Sequence, residues 1–197
     1  MLRADLSPNP FTQFGLWFAE AERAGILTPN AMTLATATRD GIPSARMVLL
    51  KGFDETGFTF FTNYESQKGR ELAQNPHAAL VFYWDPLNRQ IRITGQVARL
   101  TAAESDAYFQ TRPRGSQIAA WASRQSTVLE NRTILHSRYN DFMAQFGDDP
   151  IPRPRYWGGY RLTPRTLEFW QSGANRLHDR IRYTHQNEGW LIERLAP

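Results

Sequence analysis

The chain has 197 residues, of which 23 are Lys or Arg and 19 are Asp or Glu, so its net charge is +4, and it contains no cysteine. This length predicts a single domain over residues 1–197, while the missing cysteines exclude a disulfide scaffold, a thiolate metal site and a cysteine nucleophile. The 13% aromatic content excludes a disordered chain, and without a run of about 20 apolar residues or a signal peptide we expect a cytoplasmic protein.

The predicted elements begin with a helix over residues 10–25, where four aromatic side chains recur at helical spacing. Alternation of apolar and polar residues between turn sequences then predicts strands. In chain order these strands span residues 31–39, 45–50, 58–62, 78–84, 89–100, 160–162, 166–170, 180–183 and 190–195. Three more helices are predicted over residues 66–75, 101–113 and 126–146. Because the strands are short, linked by hairpins and not in strict alternation with helices, they favour a mainly β fold, a closed antiparallel barrel with helices outside it.

Several signatures of well-known enzyme classes are absent from the sequence. It contains no GxGxxG, GxxxxGK[ST], GxSxG, HExxH or EF-hand motif. The four histidines lack metal-ligand spacing, apart from a distant pair at His178 and His185, so we expect no metal site. These observations exclude the common dinucleotide-binding folds, P-loop NTPases, serine hydrolases and zinc peptidases. A cofactor that brings its own reactivity is the natural source of chemistry.

Lysine is rare in this chain. Only two of the 23 basic residues are lysines, Lys51 and Lys68, and an ammonium differs from a guanidinium in geometry and hydration. Lys51 ends a stretch in which Arg46 and Lys51 flank four apolar residues of a predicted core strand. A cation in such a strand is costly unless it is paired, so either both residues reach anionic ligands or both extend from the strand ends to water.

Three other stretches combine polar groups in patterns that suit an anion. At the predicted strand–helix junction, Thr62, Ser66 and the free amides of the helix N-terminus suit a phosphate and Lys68 adds charge, unless this is an ordinary capped surface helix. Tyr108 and Arg112, four residues apart, form with Ser116 either a phosphate clamp or a solvated helix end. If residues 176–180 form an extended segment, the side chains of Arg176, His178 and Arg180 share one face and favour a bound anion.

Several long motifs, in this order, together resemble the pyridoxine (pyridoxamine) 5′-phosphate oxidase family. They are RMVLLKGFDETGFTFFTNYESQKG, RQIRITGQV, YFQTRPRGSQIAAWASRQS, YWGGYRLTPRTLEFWQ, RLHDRIRY and WLIERLAP, and the resemblance runs from about Leu2 to Pro197. It implies a split β-barrel, a Greek-key antiparallel barrel with flanking helices, that works as a homodimer with a C-terminal dimerisation segment at about 156–197. It also implies an FMN in a groove at the dimer interface, in contact with both subunits.

The resemblance also implies a reaction and a set of site residues. The reaction is oxidation of pyridoxamine or pyridoxine 5′-phosphate to pyridoxal 5′-phosphate, with O2 as acceptor and H2O2 as product. The implied FMN contacts are Arg46, Met47, Val48, Leu49, Leu50, Lys51, Phe61, Thr62, Lys68, Gln90, Gln125, Ser126, Trp170 and Arg180. The implied substrate-phosphate ligands are Lys51, Tyr108, Arg112 and Ser116. Arg176 and His178 are implied to contact the substrate over the flavin and to act in catalysis.

Two positions depart from the family pattern. Gln67 stands where the family usually has the arginine of a Ser-Arg-Lys motif, which removes one cation near the FMN phosphate. Thr28 stands before Pro29 where the family often has an acidic residue, so no acid–base role is carried over to it. The alternatives are a phenazine-biosynthesis FMN oxidase on the same fold and a non-catalytic flavin or pyridoxal-phosphate carrier. Interspersed acidic residues disfavour a nucleic-acid-binding barrel.

Overall fold

A computed structural model describes residues 6–187 and 189–197. The helices are α1 (Pro10–Arg23), α2 (Gln67–Gln74), α3 (Ala102–Gln110), α4 (Arg114–Ala122) and α5 (Arg132–Phe146). The strands are β1 (Ala31–Ala37), β2 (Pro43–Leu49), β3 (Gly52–Asp54), β4 (Gly57–Asn63), β5 (His77–Trp84), β6 (Arg89–Arg99), β7 (Trp157–Gln171), β8 (Asp179–Gln186) and β9 (Gly189–Arg194). Among the helices of these residues, none is both long and apolar enough to cross a membrane.

The strands form one curled antiparallel sheet in the order β2-β1-β5-β6-β7-β4-β3, and β8 and β9 continue from β7. Strand β7 divides its outer edge between two partners, because its first half pairs with β4 and its second half with β8. The curl brings β2 close to β4, although no ladder joins them. The predicted mainly β class with flanking helices, and the split barrel implied by the resemblance, are confirmed.

The barrel core is aromatic, and α1 supplies much of it. Phe14 is fully buried and meets Phe58 and Phe82 edge to face at 4.9 and 5.2 Å between ring centroids. Trp17 packs in the same way against Phe169 of β7. Asn9 accepts hydrogen bonds from the first amides of α1 and so fixes where the helix begins. The predicted amphipathic helix is therefore confirmed, and its aromatic face joins both halves of the sheet.

Some predicted strands differ from the observed ones. The strand predicted in the core at 45–50 is β2, which pairs with β1 alone among the described strands and leaves Met47 62% exposed. The strands predicted at 160–162 and 166–170 are one strand, β7, with an irregularity opposite Thr94 and Gly95. A Cβ at Gly95 would clash with the carbonyl oxygen of Thr163, so only glycine permits this close approach. Strand β3 was not predicted, because three residues are too few to show the alternation of apolar and polar side chains that indicates a strand.

Two predicted helices also differ. The helix predicted to reach Pro113 ends at Gln110, and a second helix that the sequence does not predict, α4, follows. Proline is compatible with this break, because it fixes its own φ and restrains the residue before it. The helix predicted from residue 126 begins only at Arg132, capped by Asn131. Residue Ser126 has a positive φ of 69°, which a helix does not allow.

Candidate functional site

A cavity of about 570 Å³ opens at the seam where β2 approaches β4 without pairing. It brings together eleven of the residues that the sequence singles out, namely Met47, Val48, Leu49, Lys51, Phe61, Thr62, Lys68, Tyr108, Arg112, Ser116 and Gln125. They come from β2, the β2–β3 connection, β4, α2, the α3–α4 region and the segment after α4. Because the sheet does not close here, side chains from distant parts of the chain line one concave surface.

Arg112 is the most informative side chain in this cavity. Its guanidinium lies 4.5 Å from the ring centroid of Trp157 and 5.6 Å from that of Phe109. Its Nη1 is buried and has no hydrogen-bond partner, and no carboxylate of the described residues pairs with the side chain. Burial lowers the pKa of Arg112, while the nearby Tyr108 opposes that effect. A buried donor without a partner is costly, so this geometry favours an anionic ligand.

The beginning of α4 adds to the same surface. Ser116 lies in the first turn of α4 and lines the cavity with Pro113. No side chain caps this helix, so its first amides are not satisfied in that way. A helix N-terminus favours negative charge. The N-terminus of α4 and the guanidinium of Arg112 therefore both favour an anion at this surface.

On the other side of the cavity, Lys68 is buried at 7% exposure. Its Nζ donates to Oε1 of Gln125 at 3.2 Å, and the hydroxyl of Thr62 donates to the same oxygen at 3.2 Å. Burial lowers the pKa of Lys68, Arg46 lowers it further, and Glu71 raises it. Lys68 forms no direct ion pair among the described residues, so its positive charge is only partly compensated.

A smaller cavity of about 350 Å³ shares Met47, Lys68 and Gln125 with the first and adds Arg46 and Ser126. Ser66, which the sequence offers as a phosphate donor, is fully buried and caps α2 by accepting from the Gly69 amide. Leu50 is turned into the core.

Arg46 points into a buried polar network on Glu71. The Arg46 Nη2 lies 3.3 Å from Oε2 of Glu71, which also accepts from the hydroxyls of Thr36 and Ser44. Gln67 donates to Oε1 of Glu71 at 2.9 Å. Burial by itself raises the pKa of Glu71, but these hydrogen bonds and Arg46 outweigh it and lower the pKa to about 2.

This network predicts an acid-dependent contribution to stability. The folded pKa of Glu71 lies below its ordinary value of 4.5, so its stabilisation is present above pH 4.5 and is lost as the pH falls towards 2. We expect Glu71→Gln to lower the free energy of unfolding by about 2 kcal/mol at pH 7, with a difference from wild type that shrinks below pH 4.5 and becomes small only near pH 2. Urea unfolding at several pH values measures this. The exposed Glu65→Gln is the control, and a gap that does not narrow in acid would contradict the assignment.

The remaining five residues form a second group on β6, β7, β8 and the turn between β7 and β8. Gln90, Trp170 and Arg180 are successive cross-strand partners and therefore share one face of the sheet. None of the five residues lines the first cavity. Arg180 donates from Nε to Oε1 of Glu168 at 2.8 Å, and this carboxylate raises the pKa of Arg180. Within one chain, then, the predicted site residues form two separate groups.

The prediction that Arg176, His178 and Arg180 share one face of an extended segment is wrong. Arg176 lies in a 3-10 turn with a φ of 63°, and β8 begins only after His178. The His178 ring packs 4.7 Å from the Trp170 ring, and its Nδ1 accepts from the Gly173 amide at 3.2 Å. A neutral His178 therefore carries its proton on Nε2.

Backbone strain coincides with both groups. Among the described residues, four non-glycine residues have positive φ, and they are Asn88, Ser126, Asn175 and Arg176. Asparagine tolerates this conformation, but serine and arginine rarely adopt it. Strain of this kind concentrates at functional sites, and here it occurs at two residues that the sequence had already singled out.

Sequence reasoning missed two residues of the site. Trp157 lines the main cavity under Arg112, and Glu71 holds Arg46. Trp157 lies within the quoted motif YWGGYRLTPRTLEFWQ, where an aromatic residue at a strand start reads as core. Glu71 reads as an exposed helix residue, and only the burial of that face shows otherwise.

Comparisons with known proteins give matches over most of the chain. A family described as pyridoxamine 5′-phosphate oxidase matches residues 18–145, and one described as the pyridoxine 5′-phosphate oxidase C-terminal dimerisation region matches residues 157–197. The chain is 59% identical over 195 residues to the pyridoxine/pyridoxamine 5′-phosphate oxidase of Paraburkholderia phymatum, covering 98% of this chain and 92% of that protein. Its identity to the protein of the same description from Burkholderia thailandensis is 58%, with the same coverage.

Two solved structures share the fold over nearly the full length. PhzG from Burkholderia lata 383, in complex with tetrahydrophenazine-1-carboxylic acid, superposes with a TM-score of 0.94 at 34% identity, covering 100% of this chain and 98% of that one. A pyridoxamine 5′-phosphate oxidase-related, FMN-binding protein from Nostoc punctiforme superposes with a TM-score of 0.77 at 18% identity, covering 98% and 100%.

Proposed function

The chain belongs to the pyridoxamine 5′-phosphate oxidase family, and from this premise we propose that it oxidises pyridoxamine or pyridoxine 5′-phosphate to pyridoxal 5′-phosphate with bound FMN. The proposal rests above all on Arg112, whose buried Nη1 has no partner in a cavity that Lys51, Tyr108 and Ser116 also line. A guanidinium, an ammonium and two hydroxyls together suit a phosphate monoester. Binding the phosphate, which does not react, positions the reacting carbon.

The residues proposed for FMN also fit an anionic cofactor. Lys68 and Arg46 bring positive charge to the smaller cavity, and Ser126 lines it. Glu71 neutralises part of the Arg46 charge, so Lys68 is the main cation for the FMN phosphate. The chemistry that bound FMN supplies in this proposal is acceptance of a hydride from the substrate's 4′ carbon and transfer of two electrons to O2, which leaves as H2O2.

A homodimer would bring the two groups of site residues together. A two-fold axis lets the cavity of one subunit face Gln90, Trp170 and Arg180 of the other. Met47, Leu49 and Tyr83 support this arrangement, since they are exposed by 62, 41 and 58%. Cross-strand pairing places them on the same face as Gln90, and exposed apolar side chains on one face typically mark an interface.

Arg176 and His178 are the proposed catalytic residues of the second group. Arg176 is exposed, and it lies in a strained turn outside the sheet ladders. The Gly173 amide holds Nδ1 of His178, so Nε2 is the atom left to orient the substrate or to transfer a proton. Because the described residues hold His178 through its ring and backbone contacts, its orientation does not depend on the substrate.

The test is formation of pyridoxal 5′-phosphate by the purified protein with pyridoxine 5′-phosphate, O2 and FMN. We expect turnover that requires FMN and is lost when pyridoxine without its phosphate replaces the substrate. Flavin-loaded protein without turnover would contradict the proposal. The second candidate, favoured by the likeness to PhzG, is oxidation of a tricyclic carboxylate, and assaying a tetrahydrophenazine carboxylate alongside distinguishes it. FMN binding with neither activity would indicate a carrier.

A further inference from the structure

Arg112 is a half-buried cation without a carboxylate, and this needs a physical explanation. Buried charges in proteins are normally paired, since desolvation is costly. The described residues offer Arg112 only rings, those of Trp157 at 4.5 Å and Phe109 at 5.6 Å from its Cζ. An aromatic face attracts a cation through its quadrupole, and indole does so most strongly. Trp157 therefore supplies part of the compensation that a carboxylate would otherwise give.

The difference between a ring and a carboxylate matters for ligand binding. A carboxylate would take the N–H groups along one edge of the guanidinium, whereas a ring contacts only its face and leaves the N–H groups free. The free Nη1 of Arg112 fits this arrangement. The attraction also holds the side chain in place before a ligand arrives, which reduces the entropic cost of binding.

Trp157 is itself held firmly. Only 8% of it is exposed, and it meets Phe109 edge to face at 5.3 Å and Phe61 nearly parallel at 5.6 Å. Phe61 in turn stacks on Tyr108 at 3.8 Å with an interplanar angle of 17°. One group of rings therefore contacts both Arg112 and Tyr108, two of the proposed phosphate ligands.

We propose that Trp157 is a positioning residue for phosphorylated substrates, which holds the Arg112 guanidinium by its face so that the N–H groups point to the phosphate. This inference rests on the proposed function and adds to it a residue to which no role is otherwise assigned. Trp157 acts through Arg112 and makes no direct contact with the reacting carbon.

The experiment compares Trp157→Leu with Trp157→Phe in the FMN-loaded protein. We expect Trp157→Leu to raise KM for pyridoxine 5′-phosphate, and the Kd of pyridoxal 5′-phosphate, by about tenfold, with kcat within about twofold. Trp157→Phe should recover most of the loss, because phenylalanine keeps an aromatic face. Binding of pyridoxal, which has no phosphate, should not change. Trp121→Leu is the matched control, since Trp121 belongs to the same cluster of rings but does not contact Arg112.

A double-mutant cycle separates positioning from general packing. In an Arg112→Ala background, Trp157→Leu should have no further effect on KM, whereas a purely structural role would give additive effects. Folded Trp157→Leu with wild-type KM and Kd, or additive effects in the cycle, would overturn the inference while leaving the proposed function intact. Absence of pyridoxal 5′-phosphate binding by the wild type would instead overturn the proposed function and the inference with it. If Trp157→Leu does not fold, the KM of Trp157→Phe tests the inference instead, and we expect it to rise two- to threefold.

Discussion

Replacing Arg112 with alanine is expected to raise KM for pyridoxine 5′-phosphate by roughly 10² to 10³-fold, because a guanidinium that donates two N–H groups to a phosphate contributes about 3–4 kcal/mol. Arg112 has the buried Nη1 without a partner, and no carboxylate of the described residues competes for it. The substitution removes a half-buried cation that no carboxylate of the described residues neutralises, so the folded state is not expected to lose stability. Steady-state kinetics over a range of substrate concentrations measures the effect.

The exposed Arg39→Ala in the β1–β2 hairpin serves as the control for loss of one positive charge. It should leave KM unchanged at moderate ionic strength, where charges beyond about 10 Å are screened. FMN occupancy should remain near that of the wild type in both variants, because Arg112 is assigned to the substrate. An unchanged KM in Arg112→Ala would remove the main support for the phosphate site.

Combining two impaired variants in one dimer is expected to restore activity. Arg112 lines the main cavity, and Arg176 belongs to the second group, which does not line that cavity in the same chain. If each site takes one group from each subunit, a dimer of one Arg112→Ala chain and one Arg176→Ala chain has one site with both substitutions and one intact site. Such heterodimers, co-expressed with two different tags and purified over both, should show about half of the wild-type activity per dimer.

The controls are the two homodimers, in which each variant is paired with itself and purified in the same way. Both homodimers should show little activity. A heterodimer as inactive as these controls would mean that Arg112 and Arg176 act in the same site from one chain. A fully active Arg176→Ala homodimer would mean that Arg176 is not needed. Arg176→Ala alone separates these outcomes, since its kcat should fall more than its FMN occupancy. Isolation of monomers only would contradict the dimer directly.

Much of the fold was predictable because its signals are local. The aromatic spacing over residues 10–25 predicts α1, and the hairpin turns bring most of the strands to within a few residues of their observed bounds. Helix α4 was not predicted, since Pro113 indicates the end of a helix and the residues after it show only weak helical periodicity. The single long β7 was also missed, because its partners β4, β6 and β8 lie far away in the sequence and decide its length.

The amino-acid sequence by itself determined which chemical groups are present and which family they resemble. It identified the two rare lysines and the Tyr108, Arg112 and Ser116 set, because residue types and order suffice for such patterns. Only the tertiary structure decided that Arg112 is paired with the Trp157 ring and with no carboxylate, and that Arg46 is bound to Glu71. It also decided that the site residues divide into two groups within one chain. The physical reason is that burial and pairing depend on which distant segments the curled sheet brings together, and no local period records that.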